Sequence, residues 1–215
     1  MLTEDYVIRM INYLLAALGE IIGFKTAGQY LESSLAIDRL LMELFNLNID
    51  VIRNMDDNNL IDALTNHDVL DVHRLMFAAD VFKEEGDIFY ARDNLIISMQ
   101  SYLRAINLYL AAALNGSFSP LPDPVDRIDH LVRISGEADL PEDILVSLFC
   151  YYEQLGRYTA ADDILTHLLS TSNQTDDVMA ERRGFYTRLL EKTDAELVKG
   201  GMTRTQLEAK LSGSN

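Results

Sequence analysis

Two pairs of acidic residues are the strongest candidates for catalytic chemistry in this 215-residue sequence. Glu84 and Glu85 are adjacent, and Glu191 and Asp194 lie about one helical turn apart. Paired carboxylates of this kind can hold Mg²⁺ for hydrolysis of phosphoesters. The two pairs lie in different halves of the chain, and solvated helix faces explain them better. An all-helical, magnesium-dependent nucleotide or phosphoester hydrolase is therefore an alternative function and not the favoured one.

Other residue patterns that support catalysis are missing from the sequence. The four histidines, His67, His73, His130 and His167, do not stand at zinc-ligand spacing with other histidines, cysteines or carboxylates. The sequence has no glycine-rich loop after a strand pattern and no nucleophile elbow, so P-loop, dinucleotide-binding and serine-hydrolase scaffolds are excluded. We expect no catalytic residues, no metal site and no cofactor.

The charge of the chain limits the partners that it can bind. Its 34 acidic and 18 basic residues give a formal net charge of −16, and no segment is basic. Nucleic acids and anionic membranes favour clustered Lys and Arg, so neither is an expected partner. The single Cys150 fits a reducing compartment, and the acidic N-terminal residues do not resemble a signal peptide. We expect a cytoplasmic protein.

Hydrophobic residues recur at three- and four-residue spacing along nearly the whole sequence, which is typical of amphipathic helices. No stretch alternates for long enough to predict a sheet. The spacing therefore predicts an all-α fold of antiparallel helix pairs, with pairs ending near residues 45, 114 and 170 and further helices beyond residue 175. The predicted N-caps include Asp56, Asp68, Thr193 and Thr203.

A proline-rich segment divides the sequence. Residues 115–124 contain three of the four prolines together with small polar residues, as exposed linkers do. The prediction is an N-terminal helical part over residues 1–114, a linker over 115–124 and a C-terminal helical part over 125–211. One continuous domain is the alternative.

The junctions between paired helices carry the most informative pattern. Residues 24–33 read Phe-x-x-x-Gly-x-Tyr-x-x-Ser, and residues 152–161 read Tyr-x-x-x-Gly-x-Tyr-x-x-Ala. The second pair matches a different subset of this template, with Gly86 followed by Phe89, and Ser98 followed by Tyr102 and Ala105. Small residues let two helices approach closely, and aromatic residues one turn away fill the space beside them. An ordinary helical bundle is the alternative explanation.

These junctions resemble those of degenerate tetratricopeptide (TPR) repeats, whose antiparallel helix pairs stack as an α-solenoid or right-handed superhelix. Residues 2–11, the turn at 83–86 and residues 194–201 are also similar to an uncharacterised bacterial family of TPR-like proteins. That family has no established activity to transfer. The resemblance implies a non-catalytic scaffold or adaptor that binds a protein or peptide.

Repeat geometry also nominates a binding face. In a TPR-like superhelix the first helix of each pair lines the inner face, which here would present a mixed polar surface around an aromatic anchor. The predicted groove residues are Lys83, Asp87, Tyr90, Cys150, Glu153 and Gln154.

The N-terminal helix carries more apolar surface than one packing partner hides. Its apolar residues between Ile11 and Ile22 extend beyond a stripe of roughly 100°. Gly19 and Gly23 have the spacing at which helices pack closely, but the charge of Glu20 between them disfavours a membrane span. Either the helix is sandwiched inside the protein, or its excess face forms a symmetric homodimer contact, which we favour. A purely structural homo-oligomer is a third functional alternative.

Overall fold

The computed structural model describes residues 2–66, 69–70, 72–115, 124–136, 140–171 and 175–212. In these residues the chain forms twelve helices and one antiparallel pair of two-residue strands, so the prediction of an all-α fold is confirmed. No helix in this part of the chain has the length and apolar character needed to cross a membrane. The elements are α1 (Leu2–Thr26), α2 (Tyr30–Phe45), α3 (Ile49–Asn54), α4 (Asp57–Ala63), β1 (Thr65–Asn66), β2 (Val69–Leu70), α5 (Val72–Ala91), α6 (Leu95–Asn115), α7 (Val125–Ser135), α8 (Glu142–Gln154), α9 (Tyr158–Thr171), α10 (Thr175–Leu190), α11 (Asp194–Lys199) and α12 (Arg204–Ser212).

The chain divides into two compact units, Met1–Glu137 and Ala138–Asn215. The first contains α1 to α7 and the second contains α8 to α12. Residues 116–123 of the predicted linker at 115–124 lie outside the described residues, so the predicted division of the chain stays a prediction. Helix α7 packs against α6 in the first unit and buries Ile128 and Leu131.

Three helix pairs, α1–α2, α5–α6 and α8–α9, are joined by the same three-residue turn. Its middle residue is left-handed, with φ of 73° at Gly28, 55° at Asp93 and 72° at Gly156. The next residue donates a backbone hydrogen bond to the carbonyl five residues earlier, which is the Schellman pattern that ends a helix and reverses the chain. These bonds join Gln29 to Phe24, Asn94 to Phe89 and Arg157 to Tyr152, at 2.9, 2.9 and 2.8 Å.

The second pair therefore has the same junction register as the first and third. The sequence pattern did not reveal this because Asp93 stands where the other turns have glycine, and Asp is one of the few other residues that tolerate the left-handed region. Five residues later, Ser98 Oγ donates a 2.9 Å hydrogen bond to the Gly86 carbonyl. Ser33 does the same to the Ile21 carbonyl, also at 2.9 Å and also twelve residues earlier.

Several helices begin at the N-cap residues that the sequence predicted. Asp56 accepts a hydrogen bond from the Asn59 amide, and Thr193 forms a capping box with Glu196, so both predicted N-caps are confirmed. Thr203 also accepts from the first turn of α12, at 3.3 Å. The predicted cap at Asp68 lies outside the described residues. Helix α3 was not predicted.

Helix α5 is the centre of the first unit. Helices α1, α2 and α6 all pack against it, and most of its side chains are buried. At Gly86 it approaches α6 so closely that a Cβ atom would lie 2.3 Å from the Tyr102 ring. The glycine is required here by packing, because its backbone is helical.

The substitution Gly86→Ala should lower the free energy of unfolding by about 1 to 3 kcal/mol, since the Tyr102 ring must move to admit the methyl group. Urea unfolding followed by circular dichroism measures this. The matched control is Gly184→Ala inside α10, where the nearest atom, 3.3 Å away, is the end of the flexible Arg188 side chain. That control should be neutral or slightly stabilising. Equal stability of Gly86→Ala and wild type would contradict the close approach.

Candidate functional site

A cluster of charged side chains forms where α1 meets α5. Lys25 Nζ lies 2.5 Å from Asp87 Oδ2 and also contacts the Glu84 carboxylate. Lys83 Nζ lies 2.8 Å from Glu84 Oε1 and 2.9 Å from Asp87 Oδ2. From α6, the Tyr102 hydroxyl donates a 2.9 Å hydrogen bond to Asp87 Oδ1. Glu84 is only 6% exposed, and the two lysines compensate its charge together with that of Asp87.

The electrostatics of this cluster stabilise its charged state. Burial of Asp87 opposes ionisation, but hydrogen bonds from Lys25 and Lys83 outweigh burial and lower the pKa of Asp87 below its ordinary 3.8. Burial also opposes the charge of Lys83, yet its bonds to Glu84 and Asp87 raise the pKa of Lys83. Burial and the neighbouring carboxylate raise the pKa of Tyr102, so its phenol stays protonated and donates.

Glu85 belongs to a separate network on another side of α5. Its side chain is 5% exposed, and it forms an ion pair with Arg53, which also lies 2.7 Å from Asp38. Ser101 Oγ donates a 2.8 Å hydrogen bond to Glu85 Oε2. Glu84 and Glu85 thus serve different ion pairs and do not converge on one cation. Within the described residues, no group of three or more His, Cys, Asp or Glu side chains is placed to hold a metal ion.

The two residues of the second carboxylate pair in the hydrolase alternative lie in different surroundings. Asp194 lies 2.6 Å from Arg204 and begins α11, and Glu191 is exposed just after α10. Of the four histidines, His67 lies outside the described residues.

A cavity of about 420 Å³ opens beside the Arg53 network, between α6 and the α3–α4 segment. Ion pairs and hydrogen bonds hold the side chains of the two arginines that line this cavity, Arg53 and Arg104. Arg104 donates a 2.6 Å hydrogen bond to the Met55 carbonyl and lies 3.3 Å from Asp57, and Arg53 is held as described above. The walls are therefore fixed by ion pairs. The lining residues are Arg53, Asp57, Glu85, Ile97, Gln100, Ser101, Leu103 and Arg104.

The end of α5 and the first turn of α6 expose large apolar side chains, and one of these residues, Ile97, lines the cavity. Tyr90 is 63% exposed, Leu95 60% and Ile96 75%, while Ile97 lies at the cavity. We call these four residues the α5–α6 tip. Only Tyr90 was among the predicted site residues. The missed signal was three consecutive apolar residues in the first turn of a helix, where at most part of the helix surface can face the core.

The corresponding turn of the second unit is covered by its own chain. Tyr158, which occupies the position of Leu95 relative to the turn, is 6% exposed and packs so closely on Gly200 that a Cβ there would lie 2.2 Å from its ring. The next residue, Thr159, donates its amide to the Gly200 carbonyl at 3.1 Å and its hydroxyl to the Gly201 carbonyl at 2.8 Å. The α5–α6 tip lacks such a cover from the described part of the chain.

The predicted groove residues of the first unit are in different environments. Lys83 and Asp87 are half-buried and belong to the charged cluster, so each already has intramolecular partners. Tyr90, one turn beyond Asp87, is exposed and belongs to the α5–α6 tip.

The predicted groove residues of the second unit lie at the C-terminal end of α8. Glu153 receives a two-pronged contact from Arg188, at 2.7 and 2.8 Å, and Gln154 is exposed. Cys150 is exposed as well. Partial burial, with the carboxylates of Glu181 and Glu153 nearby, raises the pKa of the Cys150 thiol, which keeps it protonated and poorly nucleophilic.

The fold and these contacts define an all-α protein built from helical hairpins. Its residues 1–213 match the model of a family of unknown function (DUF6483), and the chain belongs to this family. The expectation of an uncharacterised family is thereby confirmed, while the TPR-like nature of the repeats stays a prediction. Comparison with curated proteins and with solved structures gives no significant match.

The charged cluster predicts how stability changes with acid. Asp87→Asn should lower the free energy of unfolding at pH 7 by about 2 kcal/mol, because hydrogen bonds between charged groups are lost. The pKa of Asp87 is depressed in the folded protein, so its contribution is present above pH 3.8 and disappears as the pH falls below that value. Urea unfolding between pH 7 and pH 3 measures the difference.

The control for this experiment is Asp62→Asn, which changes an exposed carboxylate on α4 of the same unit. It should stay close to wild type at every pH. A difference between Asp87→Asn and wild type that persists unchanged at the lowest pH would contradict a charge-based role.

Proposed function

We propose that this protein is a non-catalytic scaffold that binds a protein or peptide through its first unit. The observation that carries the proposal is the α5–α6 tip, where Tyr90, Leu95 and Ile96 are each more than half exposed. Clustered apolar side chains on the surface mark interaction sites, and tyrosine is among the residues that contribute most to binding. A partner that covers these side chains would gain binding free energy from the burial of each apolar surface.

The adjoining cavity supplies the polar component of such a site. Gln100, Ser101 and Arg104 lie along α6 beyond Ile97, and Arg53 of α3 also lines the cavity. An apolar anchor beside fixed polar groups is the usual anatomy of a specific interface, with a dry centre and a polar edge. We therefore infer that a partner segment contacts the tip and reaches into the cavity.

The shared hairpin turn supports a TPR-like class for this scaffold. Three pairs have a left-handed residue at the same place in the turn, followed five residues later by Ser33, Ser98 or Ala161. Recurrence of one supersecondary unit with small residues at the helix contact is the mark of repeat proteins, and we place the pairs among degenerate α-solenoid repeats. The exposed thiol of Cys150 suits a reducing compartment, and we assign the protein to the cytoplasm.

This proposal retains only part of the predicted groove as a binding site. Tyr90 is retained as the aromatic anchor, while Lys83 and Asp87 act mainly in holding α1 to α5 through Lys25. The hydrolase alternative receives no support from the geometry, because the carboxylates of Glu84 and Glu85 are held by lysine and arginine partners.

Affinity capture from an extract of the producing organism tests the proposal. Wild type should enrich a protein partner, and Tyr90→Ala or Ile96→Asp should reduce its recovery by roughly tenfold or more, as loss of a central apolar contact does. The recovered amount is measured by quantitative mass spectrometry, followed by a binding titration with the purified partner.

The matched control is Val198→Asp, which places the same charge at another apolar position, 63% exposed, in the second unit. It should capture the partner as wild type does. No enrichment by wild type, or equal enrichment by wild type and both tip variants, would reject binding at this surface.

A further inference from the structure

We draw no further inference here: the strongest candidate, the cavity of about 200 Å³ between α1 and α2, carries nothing, because the polar groups at its rim bind one another, Glu20 with Arg39 and Glu43 with Tyr13, and nothing in the described residues shows what would occupy it.

Discussion

The close approach of α5 and α6 at Gly86 is the constraint on which the first unit depends. Because residue 86 has no side chain, the Tyr102 ring fills the space beside it, and the Tyr102 hydroxyl reaches Asp87 on the opposite helix. Ser98 bonds the Gly86 carbonyl at the same level. These contacts fix the register of the two helices and so decide which side of α5 faces α1 and which faces α2.

That register explains why α5 can be buried although it carries several charges. Glu84 and Asp87 meet Lys25 of α1, whereas Glu85 meets Arg53, which also binds Asp38 of α2. A buried carboxylate without its cation is strongly destabilising, so every alternative register of these helices carries a penalty. The ion pairs thus specify the arrangement of the helices more than they add to its net stability. A hairpin held in this way keeps its apolar tip in a fixed position, as the proposed binding of a partner at the tip requires.

Much of this architecture was predictable from local sequence. Helix spacing, the caps at Asp56 and Thr193 and the glycine turns at Gly28 and Gly156 all depend on residues close together in the chain. Asp93 was harder to recognise because its left-handed conformation is uncommon outside glycine.

The candidate site was less predictable because its contacts link distant residues. Lys83 and Asp87 were assigned to a groove from their helical register. In the structure, however, Asp87 bonds both Lys83 and Lys25, and Lys25 belongs to α1, 62 residues away from Asp87 in the chain. Arg53 is likewise 32 residues from Glu85. Which apolar residues remain uncovered, such as Ile96, depends on the neighbours that each hairpin acquires. Single-helix periodicity contains no information about those neighbours.

Residue-resolved hydrogen exchange of the native protein tests the central role of the α5–α6 hairpin most directly. The amides around Gly86 and Tyr102 should exchange more slowly than any others in the first unit, and only through unfolding of the whole unit. The first-turn amides at Leu95 and Ile96 should exchange quickly. If the middle of α5 opened locally while α1 and α2 stayed protected, the hairpin would not be the element that holds this unit together.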